Sequence, residues 1–356
     1  MAQAITKELL LKEISVKDGD CTRQFEVHLS EFVAAQEDDS ELRKWLENGK
    51  DIQTKYIGFY GLFVYYRRVL EYDRITELFE EYGAEFEQKY MSVKHLRSIN
   101  YIDSDDKYEP EEIMAHLENG YQVARSYKKL ADANKRDSQV PGINVAGASH
   151  AFADLVATYC ERYESMSKEI IAKWYDKAMD AVEEAKRLSP KYAKYNCTEG
   201  RLRAQKDEYE NAIACIRKAI RLESPSGNKE NYSLRILQYQ SYIVQIQARQ
   251  QMYKLNCHQE RINDDIDSLK GSLVSNIEIL GFFAGVISFV IGSLTLADGQ
   301  ATKDAAALVL VLMGALLVVM DCFSLLLHIE RKHLWMKLLV LVVGVLIVLG
   351  GLYIVW

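Results

Sequence analysis

Few side chains in this sequence could do chemistry, and they are scattered. The seven histidines and six cysteines include no Cys-x-x-Cys pair and no histidine set at the spacing of metal ligands. The sequence also holds no phosphate-binding loop, HExxH motif, glycine-rich dinucleotide turn or nucleophile elbow in a suitable context. We therefore predict that the protein is not an enzyme and that it binds no metal and no cofactor.

Two acidic residues stand out because they interrupt apolar sequence. Glu278 lies near the start of one apolar stretch, and Asp321 lies toward the end of the next. Ionisable groups in hydrocarbon usually face a bundle interior or a water-filled path, so these carboxyl groups could line a pore once chains assemble. The alternative, which we favour, is that each carboxyl group is protonated or solvated at the interface and only positions its helix.

Both acids belong to a C-terminal module of three apolar stretches, at about 273–297, 305–327 and 337–356. Each stretch is close to the roughly 20 residues that a helix needs to cross a bilayer. Backbone amides in lipid must bond to one another, so we expect three transmembrane helices. The alternative is a buried helical hairpin of a soluble protein.

The basic residues predict the orientation of this module. The connection 297–304 carries one lysine and two aspartates, whereas 328–337 carries Arg331, Lys332, Lys337 and two histidines. Basic connections stay in the cytoplasm, and residues 1–11 do not resemble a secretory signal. We therefore predict a multi-pass protein of the cell (inner) membrane with lipid as a partner and a cytoplasmic N-terminal region.

A stripe of small residues runs along the first apolar stretch, formed by Gly281, Gly285, Ser288 and Gly292. Small residues let helix backbones approach closely in lipid, so the stripe predicts a helix contact within one chain or between chains. Glycine is also simply frequent in membrane helices, which is the alternative explanation.

The soluble part repeats itself between Ile170 and Pro225 at a spacing of about 34 residues. The clearest pairs are Tyr175 with Tyr209, Ala178 with Ala212, and Ala185 with Ala219. Together they resemble the tetratricopeptide repeat family, whose unit is a helical hairpin. The resemblance implies that the alanines let neighbouring helices pack closely, that Gly200 lies where two helices cross, and that the repeats bind a protein partner.

The match to this family has gaps. Asn196, Glu199 and Arg203 stand where the family prefers aromatic or aliphatic residues. We therefore count two repeats, and we expect the preceding helices to complete or cap the solenoid, because about three units are needed for stability.

The predicted fold class is mainly α, with a helical-repeat cytoplasmic region, a stalk helix and a three-span transmembrane bundle. The predicted domains are an N-terminal helical region 1–136, a linker 137–149, repeats 150–256, a stalk 257–272 and the transmembrane module 273–356. The linker is expected from Pro141, Gly142 and Gly147. The aromatic segment 56–66 is expected to be core, the alternative being a groove for a peptide or nucleobase.

The stalk has apolar residues at steps of four and three that continue into the first span, namely Ile262, Ile266, Leu269, Leu273, Ile277 and Leu280. This spacing is typical of a coiled coil and predicts a homo-oligomer. A helix of this kind could transmit a signal from the soluble region to the membrane.

Two functions fit these features. The formal charge of -7 and the lack of a basic stripe argue against nucleic acid as a partner. The architecture resembles membrane-disrupting effectors of bacterial antiviral defence, which implies a sensor whose oligomerised spans permeabilise the membrane. The alternative is a passive adaptor, in which the repeats dock a protein and the spans only tether it. A transporter is disfavoured because the spans form no repeated halves.

Overall fold

The computed structural model describes residues 5–104, 106–134, 142–225, 229–297, 302–327 and 334–355. Within these ranges the chain is almost entirely helical, and its β-structure is one isolated antiparallel bridge between Thr22 and Ile143. The prediction of a mainly α protein is therefore confirmed. The chain divides into two compact units, Met1–Gln251 and Met252–Trp356.

The first unit begins with seven helices around an aromatic core. They are α1 (Lys7–Ile14), α2 (Arg23–Ala34), α3 (Ser40–Asn48), α4 (Ile52–Val69), α5 (Tyr72–Leu78), α6 (Ala84–Glu87) and α7 (Met91–Asp103). A π-helical turn, Phe79–Gly83, joins α5 to α6. The first residues of α4 are held by Asp51, which accepts a 2.7 Å hydrogen bond from the backbone N–H of Thr54.

Helix α4 carries the centre of this core. Tyr56, Phe59 and Phe63 are at most 1 % exposed, and Tyr56 and Phe59 both lie against Phe86. The helix ends at Val69, and the left-handed backbone of Leu70 (φ 63°) turns the chain toward α5. The aromatic segment 56–66 is thus core, as predicted.

The rest of the first unit is built from longer helices. They are α8 (Pro110–Asn134), α9 (Val145–Arg162), α10 (Ser167–Leu188), α11 (Ala193–Ala204), α12 (Tyr209–Leu222) and the beginning of α13 (Lys229–Ala297). Helix α9 starts inside the predicted linker 137–149, because the side chain of Asn144 accepts a 3.0 Å hydrogen bond from Gly147 N–H and caps the helix. Residues 135–141 of that linker lie outside the described residues.

The predicted domain boundary at this linker does not separate two compact units, because 1–251 forms one. The chain around Ile143 pairs with the segment before α2, where Asn144 N–H donates to the carbonyl of Cys21 at 2.8 Å. These backbone contacts tie the start of α9 to the start of α2.

The second unit consists of the end of α13, α14 (Thr302–Leu327) and α15 (Leu334–Val355). By length and composition, two helices could cross a membrane, over Tyr232–Phe289 and Asp304–Cys322, and α15 carries the shorter apolar segment Leu338–Ile354. The most apolar windows of the first two are 0 % and 17 % buried, respectively, so these helices are not enclosed by the chain as soluble core helices are.

Glycines bring α14 and α15 into close contact. A Cβ atom on Gly314 would meet the carbonyl oxygen of Gly344 at 2.8 Å, and one on Gly351 would meet the carbonyl oxygen of Ala307 at 3.0 Å. Backbone atoms cannot move away as a flexible side chain can, so the packing requires glycine at these positions.

Candidate functional site

The first unit contains a polar cavity of about 910 Å³ that is partly open to solvent. Helices α2, α4, α7, α9, α11 and α13 all contribute side chains to its wall. Seven of these side chains are basic and four are acidic, although the chain as a whole has a formal charge of -7. The cavity therefore concentrates positive charge in an acidic protein.

Arg201 on α11 is the central residue of the wall. Its guanidinium donates to both oxygens of Glu161, with the shortest distance at 2.6 Å, and to the hydroxyl of Thr158 at 2.9 Å. A further bond joins it to Asp154. The three acceptors lie on one face of α9, because they are spaced by four and three residues. Arg201 thus fixes α11 against α9 with its whole fork of donors.

The electrostatics of this group follow from burial and from the paired charges. Burial by itself would lower the pKa of Arg201, but Glu161 and Asp154 together raise it well above its ordinary value. Burial would likewise raise the pKa of Asp154, and Arg201 instead holds it below its ordinary value. Arg201 and Asp154 are therefore both charged at neutral pH.

Aromatic rings extend the wall beside this group. The guanidinium of Arg201 lies 4.7 Å from the ring centroid of Tyr242 on α13. The ring of Tyr195 lies 4.7 Å from that of Tyr192 and 4.8 Å from that of His150. Burial lowers the pKa of His150 to about 4, so this imidazole is neutral at physiological pH.

Arg67 and Arg68 of α4 also line the cavity. Arg67 Nε donates to Asp103 at 2.5 Å, and Arg68 donates to the backbone carbonyl of Ser30 at 2.7 Å. Arg67 is neutralised by a carboxylate, whereas the partners of Arg68 are the uncharged carbonyl and hydroxyl groups of Ser30.

Two buried polar atoms of the wall have no partner within the described residues. Arg162 donates through Nη2 to the carbonyl of Ile102 at 3.2 Å, but its buried Nη1 has no acceptor. His95 is 4 % exposed, and its Nδ1 also has no partner. Burial lowers the pKa of His95 to about 4, which keeps it neutral.

Glu26 is the acid of the wall with the most perturbed titration. Burial raises its pKa to about 7, although Arg23, 3.1 Å away, acts in the opposite direction. The carboxyl also accepts a hydrogen bond from the side chain of Asn144 at 2.5 Å. Its charge therefore changes near neutral pH.

The residues singled out for repeat packing lie elsewhere, in the apolar core. Ala178, Ala185, Ala212 and Ala219 are fully buried, Tyr209 is 7 % exposed and Tyr175 is partly buried. A Cβ atom on Gly200 would meet the carbonyl oxygen of Ala212 at 2.7 Å, so α11 and α12 cross closely at this point. The assignment of these helices to the tetratricopeptide family stays a prediction.

The departures from the repeat pattern have a structural explanation. Glu199 is 5 % exposed and pairs with Lys186 and, at 3.0 Å, with Arg203. Asn196 is 1 % exposed, and both atoms of its amide lack a partner among the described residues. Helix α11 therefore buries polar groups rather than the apolar ones that the family prefers.

The predicted membrane residues are placed as follows. Gly285 faces the side chain of Leu316 on α14, and a Cβ atom on Gly292 would lie 4.0 Å from the side chain of Leu312. Gly281 has open space around it, and Ser288 is exposed. Asp321 is 8 % exposed with one carboxyl oxygen unpartnered. The side chain of Glu278 and the connection 328–333 lie outside the described residues, as does the side chain of Lys337.

The cavity residues were missed by the sequence analysis because they come from several helices that are far apart in the sequence. One local signal was present: α11 carries Glu199, Arg201 and Arg203 and has no apolar face of its own. A charged helix without an apolar face, placed between helices of a repeat, indicates a buried polar network.

Within the described residues no cluster of three or more His, Cys, Asp or Glu side chains is arranged to hold a metal ion. Comparisons of the chain with protein-family models, with curated proteins and with solved structures find no match.

Proposed function

We propose that the protein is a membrane-anchored, non-enzymatic sensor and effector. The cytoplasmic helical unit binds a protein or a small signal, and the oligomerised spans permeabilise the inner membrane. The observation that carries this proposal is the presence, in one chain, of a charged cavity with unpartnered groups and of apolar helices that the chain leaves exposed.

The exposed apolar helices support the membrane part of the proposal. Leu280 is 69 % exposed on α13, Val319 is 63 % exposed on α14, and Leu346 is 60 % exposed on α15. Apolar surface of this extent is unfavourable in water and matches the hydrocarbon of a bilayer. We propose three spans, with α15 as the third, and an N-terminal region on the cytoplasmic side.

Asp321 supports assembly of the spans. Its side chain is buried, yet one of its carboxyl oxygens has no partner within the described residues. A polar group in hydrocarbon needs a partner or water, and a second chain or a water-filled path between chains would supply it. The coiled-coil spacing from Ile262 to Leu280, whose side chains are exposed, supports the same assembly.

Membrane potential provides the test. Cells that express the chain are followed with a voltage-sensitive dye, alongside cells that express Asp321→Asn or Asp304→Asn. Asp304 is the matched control, because it is exposed in the first turn of the same helix. We expect depolarisation with the unaltered chain and with Asp304→Asn, and at least a tenfold weaker response with Asp321→Asn. No depolarisation by any form, with or without activation, would reject the effector role.

The second candidate is the passive adaptor, favoured by the close crossing of α11 and α12 at Gly200. Hairpins of this kind stack into surfaces that bind peptides in repeat proteins. A chain whose residues 273–356 are replaced by an unrelated membrane anchor distinguishes the two proposals. Full function with the foreign anchor favours tethering, whereas loss of function with retained membrane attachment favours an active role for the spans. Participation in antiviral defence is tested by plating phage on cells with and without the chain.

A further inference from the structure

We propose that the cavity of the first unit is a binding site for a nucleotide, that is, for a small anionic ligand with phosphate groups and a planar base. This inference rests on the proposed function, because it names the chemical class of the signal. Four properties of the cavity support it: an excess of positive charge, unpartnered polar atoms, aromatic rings and size.

The unbalanced positive charge can be assigned to particular residues. Arg23 and Arg67 each pair with one carboxylate of the wall, Arg201 pairs with two, Asp154 and Glu161, and Arg235 pairs at 2.9 Å with Glu223 outside the wall. The remaining three cations are Arg68, Arg162 and Lys194, and no carboxylate of the described residues lies within 4.0 Å of them.

After the second acid beside Arg201 is counted, these cations leave an excess of two positive charges, which an anion from outside the chain would balance. Arg68 and Arg162 come from different helices, α4 and α9, and each satisfies only part of its donors on a backbone carbonyl. Two guanidinium groups with free donors and one ammonium group suit the several oxygens of a phosphate chain, because charge-assisted bonds from Arg are strong and directional. A single carboxylate would leave part of this charge unbalanced.

The unpartnered atoms also point to a ligand within the cavity. The buried Nη1 of Arg162 has no acceptor, and the buried Nδ1 of His95 has no partner, among the described residues. Buried polar atoms are nearly always hydrogen-bonded, and these two belong to residues of the cavity wall, so a group held in the cavity could bond to them. The neutral imidazole of His95 can donate or accept, depending on its tautomer, and suits a base edge or a ribose hydroxyl.

The aromatic side chains provide a surface for the base. Tyr192 is 43 % exposed, and its ring lies next to that of Tyr195, which in turn lies next to His150. Stacking of a base on an aromatic ring contributes about 1–3 kcal/mol. Lys194 lies on the same helical segment as these tyrosines, so one end of α11 presents both a base surface and a cation.

The size of the cavity restricts the occupant. A volume of about 910 Å³ lies at the upper end of the range for small-molecule sites, which is about 300–1,000 Å³. A volume of this size holds a nucleotide or dinucleotide, and it is too small for a nucleic-acid duplex of several base pairs. This proposal therefore agrees with the expectation that nucleic acid is not a partner.

The test is calorimetric titration of the full chain in detergent with ATP, GTP, CTP, UTP, adenosine and inorganic phosphate. We expect saturable binding of at least one nucleotide, and at least tenfold weaker binding of phosphate and of adenosine. An acidic hexapeptide serves as a further probe, and we expect it not to compete. Nucleotide dissociation constants all above about 1 mM, or displacement of bound nucleotide by the peptide, would overturn the proposal.

Three variants locate the site. Lys194→Gln should weaken nucleotide binding at least tenfold, and Lys191→Gln should leave it unchanged, because Lys191 is exposed and does not line the cavity. Tyr192→Leu should weaken the binding of the nucleotide but not the binding of phosphate. Circular dichroism checks that each variant is folded. Equal binding by Lys194→Gln and Lys191→Gln would place the nucleotide elsewhere and overturn the assignment.

The outcome can be separated from that of the proposed function. Depolarisation that persists without nucleotide binding, and that Lys194→Gln does not change, rejects the nucleotide site and leaves the effector role standing. Nucleotide binding that depends on Lys194, in a chain that never alters membrane potential, supports the site and rejects the effector role.

Discussion

Helices α11 and α14 invert the usual relation between polarity and burial. Helix α11 buries Asn196, Glu199 and Arg201, whereas α14 is mostly apolar and exposes side chains such as Val319. Both helices bury ionisable side chains, but Arg201 of α11 makes five hydrogen bonds to three side chains of α9, whereas Asp321 of α14 has an oxygen with no partner among the described residues.

This difference in burial reflects the surroundings of each helix. Polar groups can be buried in α11 because carboxylates and hydroxyls of α9 satisfy them, so burial there fixes a specific arrangement of helices. Apolar groups can be exposed on α14 because their solvent is proposed to be lipid, where no hydrophobic penalty applies. Four predictions test this comparison.

The largest effect is expected for Arg201→Leu. Removing the guanidinium leaves Asp154 and Glu161 without their cation, which should lower the free energy of unfolding by about 3–5 kcal/mol. Arg201→Lys should have a smaller effect, because an ammonium keeps the charge but not the fork of donors. Equilibrium urea unfolding in detergent measures both variants.

Arg187→Leu is the control for this prediction, because the Arg187 side chain is 72 % exposed. Its effect should stay within about 0.5 kcal/mol. If Arg201→Leu behaves like this control, the charged group on α11 does not hold the cavity wall together.

The next effect concerns the packing of α14 on α15. Gly351→Leu would drive a side chain into the backbone of α14, whereas Gly350→Leu enters open space. We expect Gly351→Leu to destabilise the helix pair by about 1–3 kcal/mol and Gly350→Leu to be neutral. Unfolding in sodium dodecyl sulfate, followed by circular dichroism, compares the two. Equal stability of these neighbours would show that the close approach at Gly351 is not required.

A third prediction uses the pH dependence of Glu26. Its folded pKa of about 7 lies above its ordinary value of 4.5, so between these values the folded chain holds more protons than the unfolded chain. The contribution of Glu26 to stability is therefore full at low pH and is lost as the pH rises through about 7. Glu26→Gln cannot lose a proton and should gain on the order of 2 kcal/mol relative to the unaltered chain between about pH 5 and pH 8.

Urea unfolding at both pH values measures this gain. Glu31→Gln is the control, because Glu31 is exposed on the same helix. A difference that does not depend on pH would mean that Glu26 is ionised in the folded state throughout this range.

The smallest effect is expected for an exposed ion pair of the first unit. Lys128 lies 2.9 Å from Glu184, but its side chain is 56 % exposed. Lys128→Ala should lower the free energy of unfolding by at most about 1 kcal/mol in thermal or urea unfolding, because solvent screens the pair. A loss as large as that of Arg201→Leu would mean that burial is not what distinguishes the charges of α11.

The helical fold could be predicted well from the sequence, since periodicity and capping are local. Asn144 at the start of α9 shows the limit of this approach. The glycines and Pro141 nearby predicted a linker through 149, but the capping bond to Gly147 starts the helix at Val145. Whether this segment is a loop or the start of a helix depends on distant residues such as Cys21, whose carbonyl accepts a hydrogen bond from the Asn144 N–H.

The candidate site could not be predicted in the same way. The cations of the cavity are far apart in the sequence, with more than a hundred residues between Arg67 and Lys194. Each of them, Arg162 included, resembles an ordinary surface cation in its local sequence. The sequence shows that Glu199 and Arg203 depart from the repeat pattern. That Glu199 forms buried ion pairs with Arg203 and Lys186 is visible only in the structure.

The sequence by itself determined the helical character, the apolar stretches near the C-terminal end and the small residues that permit close packing, because these depend on composition and short-range spacing. Only the tertiary structure decided which helices enclose the cavity, which cations lack a carboxylate, and which glycines of α14 and α15 touch. These features depend on distances between residues far apart in the chain, and such distances are set by the packing of whole helices rather than by any local pattern.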